Sequence, residues 1–331
     1  MILALETSCD DTCAAVVTDD GHVLSNVISS QTVHDAYGGV VPEIASRQHL
    51  QLMNVVVDDA LTRAGVTLDD IRSVAVTRGP GLVGALLVGL ATAKSIAVAR
   101  GLPLIPVDHL QGHIAANFLA PDPLEPPFVC LVVSGGHTFL ARVDDHRSFT
   151  VLGRTLDDAA GEALDKGARL LGLPFPGGPH IERLAADGDP GAFAFPLAHG
   201  VPGLDMSFAG LKTALLYAVR DLDAADGPGA AARAADLAAS YQHAVVEQLA
   251  RRVARALEQT GLEQLAIGGG VAANGPLRAR LQALAPTVRI PERALCTDNA
   301  AMIASAARHL PPAAPELVPG LDAYATGRRS L

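Results

Sequence analysis

Short apolar runs separated by turn chemistry open the chain. Residues 2–7 are apolar as far as Leu5 and then close on Glu6 and Thr7, which predicts a strand. Residues 14–18 and 23–29 predict two more, with Ser8-Cys9-Asp10-Asp11-Thr12 and Asp19-Asp20-Gly21 as the turns between them. Gly38-Gly39 marks a loop. The period then changes. Apolar positions in residues 43–64 recur at helical spacing, and Gly65 stands where a left-handed C-cap is wanted. A buried strand at 73–77, the loop Gly79-Pro80-Gly81, an apolar helix at 83–99, a strand at 104–107 and a helix starting near Asp108 follow.

The pattern then starts again. Residues 128–133, 139–143 and 149–154 predict a second meander, with Ser134-Gly135-Gly136-His137-Thr138 and Asp144-Asp145 at its turns. The first of these turns repeats the Ser-x-x-x-Thr frame of Ser8 and Thr12. A strand at 264–267 runs into Gly268-Gly269-Gly270 and a helix from Asn274, as the strand at 73–77 runs into its Gly-Pro-Gly loop. Agreement in both element order and turn chemistry argues for a duplicated α/β chain. The expected organisation is an N-terminal lobe at 1–120 and a C-terminal lobe at 121–310, with the Pro-rich stretch 121–127 between them. A mostly helical insertion occupies about 155–260 of the second lobe, and Gly227-Pro228-Gly229 reads as a flexible patch within it. A Pro-rich, poorly structured tail is expected at 311–331. This layout resembles the actin-like ATPase superfold of hexokinase, Hsp70 and actin. In that superfold two hairpin turns clamp phosphates, and a Gly-rich strand-to-helix loop of the second lobe holds the adenosine.

Composition narrows the class. With 331 residues, 49% hydrophobic side chains, no Trp and 4% aromatics, the chain can bury a sizeable core of Ala, Val, Leu and Ile, as a soluble α/β protein does. Cys9, Cys13, Cys130 and Cys296 form no C-x-x-C pair, which argues against a zinc ribbon. No basic region precedes the first apolar run and no uninterrupted apolar stretch reaches 18 residues, so the expectation is a cytoplasmic protein without signal peptide or membrane span. Acidic residues number 35 against 25 basic, for a net charge of −10. Such a chain should not bind bulk nucleic acid unaided, because phosphate binding needs clustered Lys and Arg. Arg251, Arg252 and Arg255, on one predicted helix, are candidates for a local basic face or else an ordinary solvated one.

Three groups of residues could carry chemistry. His109 and His113 stand at i and i+4, so on a helix both rings can reach one metal ion. Leu110, Gln111 and Gly112 lie between them, so the Glu of an H-E-x-x-H metalloprotease is missing. A third ligand could be Asp298, in Cys296-Thr297-Asp298-Asn299-Ala300, although a carboxylate there could equally be a helix cap. Two His and one carboxylate leave coordination positions open and are compatible with iron(II) or zinc. The glycines of 134–136 and 268–270 allow backbone N–H groups to approach an anion or a flat ring closely.

Taken in order, Glu6-Thr7-Ser8-Cys9-Asp10-Asp11-Thr12, Gly38-Gly39-Val40-Val41-Pro42-Glu43, Gly79-Pro80-Gly81-Leu82, His109-x-x-x-His113, Val133-Ser134-Gly135-Gly136-His137-Thr138, Asp157-Asp158-Ala159-Ala160-Gly161-Glu162, Pro176-Gly177-Gly178-Pro179, Ser207-Phe208-Ala209-Gly210-Leu211-Lys212-Thr213, Gly269-Gly270-Val271-Ala272-Ala273-Asn274 and Cys296-Thr297-Asp298-Asn299 form one series. It resembles the bacterial tRNA N6-adenosine threonylcarbamoyltransferase family, TsaD type, once labelled a glycoprotease, from about residue 2 to about residue 308. The resemblance implies that His109, His113 and Asp298 hold one divalent metal, usually assigned as iron. It implies a pocket for threonylcarbamoyl-AMP formed by Val132, Val133, Ser134, Gly135, Gly136, Asp165, Gly178 and Asn274, with Glu182 standing where many members have Asp. Asp11 stands where members often have Glu; Asp10 and Asp11 are the candidates for the base that takes the N6 proton. The implied partners are tRNA, a shorter paralogue of the same fold (TsaB type) and a P-loop ATPase (TsaE type), with no membrane. The rival readings are an ATPase or kinase of the same superfold and a scaffold with a degenerate nucleotide pocket.

Overall fold

The computed structural model describes residues 1–224 and 229–325. Two five-stranded sheets organise the chain. In the first, β1 (Ile2–Glu6), β2 (Asp11–Val17) and β3 (Val23–Ser30) form an antiparallel meander. β4 (Ser73–Gly79) and β5 (Leu104–Asp108) then extend it in parallel from β1, giving the order β3-β2-β1-β4-β5. Every residue of β1 is buried, as befits its central place. The crossovers run through α1 (Pro42–Ala64) and α2 (Val83–Arg100), each ending on a left-handed glycine, Gly65 and Gly101. After β5 comes the short α3 (His109–Ala115).

The second sheet contains β6 (Phe128–Val133), β7 (Thr138–Val143), β8 (Thr150–Arg154), β9 (Gln264–Gly268) and β10 (Thr287–Arg289). Its order, read from the β8 edge, is β8-β7-β6-β9-β10, with the same antiparallel and parallel senses as the first sheet. The duplication expected from the sequence is therefore a duplication of topology. The short β10 was not foreseen, because three residues display no period. Between β8 and β9 lie α4 (Ala160–Leu170), α5 (Gly177–Ala185), α6 (Ala209–Ala224), α7 (Gly229–Ala232) and α8 (Ala234–Thr260). Gly227 and Pro228 of the expected flexible patch lie outside the described residues, and Gly229 begins α7. α9 (Gly275–Gln282), α10 (Arg293–Cys296) and α11 (Ala300–Ala307) complete the helices.

The compact units do not follow a single cut in the chain. One unit comprises Met1–Pro126, Asp144–Phe149 and Pro291–Leu331; the other comprises Pro127–Val143 and Thr150–Ile290. A contiguous C-terminal lobe reaching residue 310 is thus corrected. α11 is buried along its whole length and packs on β1, β2 and α3 of the first unit, where its Ala-rich surface fits closely. The tail also departs from expectation. Val318 enters the core of Leu3, Leu5, Val56, Val76, Leu90 and Leu104, and Lys94 Nζ donates to the carbonyls of Pro319 (3.1 Å) and Leu321 (2.8 Å). Proline-rich composition signalled a lack of helix and strand, and it concealed this docking.

By length and composition α2 could cross a membrane; one third of it (33%) is buried, through residues such as Leu86, Leu90 and Ala93. Its other face leaves Val83, Leu87 and Val98 exposed.

Candidate metal and substrate site

The metal candidates are assembled in the first unit. Asp108 caps α3, its Oδ1 accepting from the N–H groups of Leu110 (2.8 Å) and Gln111 (3.2 Å). That cap starts the helix at His109 and puts His113 one turn later on the same face, with ring centroids 4.6 Å apart. Asp298 reaches both rings: Oδ1 lies 3.6 Å from His109 Nε2 and 3.3 Å from His113 Nε2. Ligand atoms of all three fall within 4.8 Å of one another. The alternative role of Asp298, as the cap of α11, is taken by its neighbour. Asn299 Oδ1 accepts from Met302 N–H at 2.9 Å, which leaves the Asp298 carboxylate turned toward the histidines.

Two observations test whether a cation fits here. His113 is fully buried, and neither ring nitrogen makes a hydrogen bond among the described residues. Burying such a group unsatisfied is costly, so the arrangement is that of a ligand set. Second, His109 is oriented by its other nitrogen. Nδ1 lies 3.0 Å from Glu6 Oε2 and 3.2 Å from Ser8 Oγ. A carboxylate accepts, so Nδ1 carries the hydrogen and Nε2 is turned toward Asp298, the pattern by which proteins orient metal-binding histidines. Glu6 is itself buried completely; Thr77 Oγ1 donates to its Oε2 at 2.5 Å, and the Ser8 N–H donates to its Oε1. Burial raises the Glu6 carboxyl, yet the adjoining His109 ring brings it below its ordinary value. Burial opposes charge on His109 as well, but Asp298 and Glu6 outweigh it and push its pKa up to about 9 without a cation.

Asp11 lies at the start of β2, its Oδ1 accepting from Ser30 Oγ at 2.5 Å. Burial, opposed by that bond and reinforced by the charges of Asp298, Asp10 and Glu6, raises its pKa to about 7. The turn holding Asp10 and Asp11 is fixed from outside. His49 Nε2 donates to the Cys9 carbonyl (2.9 Å), Gln31 N–H to the Asp10 carbonyl (3.1 Å) and Leu82 N–H to the Ser8 carbonyl (2.8 Å). A Cβ on Gly81 would come within 2.6 Å of that Ser8 oxygen, so the Gly-Pro-Gly loop depends on its second glycine to approach so closely.

The substrate candidates all belong to the second unit. Val132 and Val133 are buried at the end of β6, and the Ser134 N–H donates to the His137 carbonyl at 2.8 Å to close the turn. Gly135 and Gly136 are exposed, with open space where a Cβ would stand. The first turn of α4 lies on this turn: Gly161 N–H donates to the Ser134 carbonyl at 3.2 Å. Asp165 accepts from the Gly177 N–H at 2.7 Å, and burial raises its pKa. Gly178 follows, where a Cβ would stand in ordinary contact, 3.8 Å from Leu164 Cδ1. Glu182 and Asn274 are brought together, but their polar atoms are engaged with the protein. Asn274 Oδ1 caps α9 through Leu277 N–H (3.0 Å), while Nδ2 donates to Gln242 Oε1 (2.9 Å) and Glu182 Oε2 (3.1 Å). Glu182 Oε1 accepts from Gly275 N–H at 3.0 Å. Asn274 therefore shapes the turn through its cap and has no side-chain hydrogen left to donate. A cleft of about 510 Å³ lies nearby, lined by Gln242, Val246, Pro276 and others, but by none of the predicted substrate residues.

Within the arginine run, Arg252 is spent on the protein. Arg252 is buried and donates to the carbonyls of Gly203 (2.9 Å), Val201 (2.9 Å) and Ala198 (3.3 Å); Arg255 reaches Gly203 and Arg251 lies beside His199. Replacing Arg252 with Met should speed backbone hydrogen exchange across 198–203 and leave tRNA affinity within about twofold. A large loss of tRNA affinity with unchanged exchange would restore the phosphate role.

Sequence reasoning overlooked Glu6, Thr77 and Ser8. The available signal was a carboxylate ending an otherwise apolar, central strand, a position where burial is tolerated only with partners.

Comparison with known proteins agrees with this architecture. The family described as "TsaD: tRNA N6-adenosine threonylcarbamoyltransferase" matches residues 22–305. A protein of that name from Symbiobacterium thermophilum is 55% identical over 94% of this chain and 91% of its own length. Namesakes from Anaeromyxobacter dehalogenans (54%, 93% of each chain) and Pelobacter propionicus (53%, 93% and 92%) are similarly close. Among solved structures, T. kodakarensis HypF superposes with a TM-score of 0.62 at 14% identity, over 92% of this chain and 47% of that one. Component A of Acidaminococcus fermentans (R)-2-hydroxyglutaryl-CoA dehydratase gives 0.55 at 13%, over 93% and 96%. At such identities these structures establish the fold, that of the actin-like ATPases. With a family match across most of the chain and relatives more than half identical along nearly all of it, the chain belongs to the tRNA N6-adenosine threonylcarbamoyltransferases, and is an enzyme that modifies tRNA.

Proposed function

We infer that the donor is threonylcarbamoyl-AMP and the acceptor is N6 of the adenosine beside the anticodon, in tRNAs reading codons that begin with A. The N6–carbamoyl bond forms, the carbamoyl–phosphate bond breaks, and AMP leaves with the electron pair. The observation that carries the chemical reading is the convergence of His109, His113 and Asp298, with His113 otherwise unsatisfied in the core. A divalent ion held there, iron(II) or alternatively zinc, would supply Lewis acidity toward an oxygen of the donor. Around it, Glu6 and Ser8 hold the His109 ring, and Asp298 completes the donor set. Of the two candidate bases, Asp10 and Asp11, we take Asp11 forward for the N6 proton, because a carboxyl that titrates near 7 both holds and releases a proton at working pH. An exocyclic aromatic amine is a poor nucleophile, so its proton must leave as the bond forms. In the second unit, the open turn at Ser134, Gly135 and Gly136 would receive the adenylate through backbone N–H groups, with Val132, Val133, Asp165, Gly178, Glu182 and Asn274 as the further candidates of the same unit. A kinase reading is less well supported, since magnesium favours carboxylates and waters over paired imidazoles.

The chain would act in the cytoplasm, away from membranes, with a shorter TsaB-type paralogue and a TsaE-type ATPase. Leu50, which is 72% exposed on α1, and Val83 and Leu87 on α2 support helix packing by such a paralogue. The test is reconstitution: purified chain, threonylcarbamoyl-AMP and unmodified tRNA, followed by digestion to nucleosides. Modified adenosine is expected, and its absence even with both partners present would refute the reading. At a net charge of −10, tRNA affinity of the chain alone should be weak and fall steeply with salt, and the partners should raise it. Tight binding by the chain alone at physiological salt would contradict that requirement for help.

A further inference from the structure

The tail beyond residue 305, where the family match ends, reaches the helix that carries the histidines. Tyr324 OH donates to Asp108 Oδ2, the oxygen not used by the cap, while Oδ1 of the same carboxylate holds the N–H groups of Leu110 and Gln111. The tyrosine is fixed where it lies. Its N–H donates to the Arg78 carbonyl at 3.2 Å, and Arg78 Nε donates to the Asp322 carbonyl at 2.8 Å. Its ring and carbonyl lie against Gly79, where a Cβ would stand 2.4 Å from Tyr324 O and 2.8 Å from the ring. Gly79 is the residue of β4 that pairs with Asp108 of β5, and its φ of +153° is one that side chains rarely adopt. The sheet end is thus shaped to seat this residue beside Asp108.

We propose that Tyr324 is a positioning residue for the metal-binding helix: by fixing the Asp108 carboxylate in its capping orientation, it sets the direction in which His109 faces Asp298. The proposal rests on the metal reading of His109, His113 and Asp298. α3 has seven residues, too few to hold a helix by propensity, so its cap and its packing decide how it lies. His109 is its first residue, and a change in the capping side chain therefore reaches the ring directly. With the hydroxyl gone, Asp108 Oδ2 loses its donor and the carboxylate can turn away from the Leu110 and Gln111 N–H groups.

The experiment measures Co²⁺ affinity by competition with a chromophoric chelator, together with the visible absorption of the bound ion, for the wild-type chain and for Tyr324→Phe, Asp108→Asn, the double variant and His113→Ala. Groups that orient a ligand typically contribute 10- to 100-fold to metal affinity, and one further bond away the expected loss in Tyr324→Phe is roughly 3- to 10-fold. Because the tyrosine acts through Asp108, adding Tyr324→Phe to Asp108→Asn should produce little further loss. Unchanged affinity and spectrum in Tyr324→Phe, beside a clear loss in His113→Ala, would overturn the proposal while sparing the metal site. Equal losses whether or not Asp108 is intact would also overturn it. Stoichiometric binding that survives His113→Ala would defeat the metal reading itself.

Discussion

His113→Ala is expected to weaken metal binding by more than about 100-fold, since even groups one step outside a ligand set contribute roughly 10- to 100-fold. Threonylcarbamoyl transfer should fall with it. The metal-free protein should nevertheless keep its fold and melt within a few degrees of wild type. The reason is that His113 contributes no hydrogen bond to the buried interior, so its removal deletes an unsatisfied polar group along with some packing. Metal content by elemental analysis, transfer by nucleoside digestion and melting by calorimetry separate the three effects. Retained metal with lost transfer would assign His113 to proton transfer instead.

Asp11→Asn should lower transfer by about 10²- to 10⁴-fold, the usual scale for loss of a general base, and should stabilise the metal-free protein at alkaline pH. The sign follows from the raised pKa. Folding shifts the Asp11 carboxyl from 3.8 to about 7, so its neutral form is the one the fold accommodates. Its contribution is complete below 3.8 and is lost as pH rises through about 7. Asparagine stays neutral throughout. The stability gain of the variant should therefore be small near pH 4, grow between there and 7, and level off at pH 8 on the order of 1–3 kcal/mol, after allowance for partial solvent access. Denaturant midpoints of the metal-free protein at pH 5 and 8 check this. A variant that is equally stabilised, or destabilised, at both pH values would remove the case for Asp11 as the tuned base.

Much of this architecture was legible in the residues because it repeats. Two meanders with the same turn frame, each followed by a strand into a glycine loop, leave a pattern that periodicity detects, and the two sheets carry the same strand order. The His-x-x-x-His pair was legible for a similar reason, since helical spacing alone puts both rings on one face. What escaped was decided by tertiary partners. Glu6 is an unremarkable carboxylate until β5 and α3 bring His109 against it. Asp298 and Asn299 are equally good caps by type, and only the helix start shows that Asn299 takes the role. Arg252 reads as a solvated or phosphate-binding side chain, yet the loop at 198–203 folds over it and uses its donors. The tail has no period at all; its docking depends on Val318 finding a core and Tyr324 finding a glycine.

The return of residues 291–325 to the first unit bears on how the protein is made. On the ribosome, β1 to β5 emerge before the second unit, but α11 and Val318, which cover part of their apolar surface, emerge only after it. The intervening unit, with its own sheet and helices, can fold while the first waits with that surface uncovered. Histidines 109 and 113 are synthesised long before Asp298, so the ligand set closes only after the second unit has been made. Nascent chains stalled before residue 300 should therefore engage chaperones that bind exposed apolar strands, and a metal ion loaded then would meet an incomplete site.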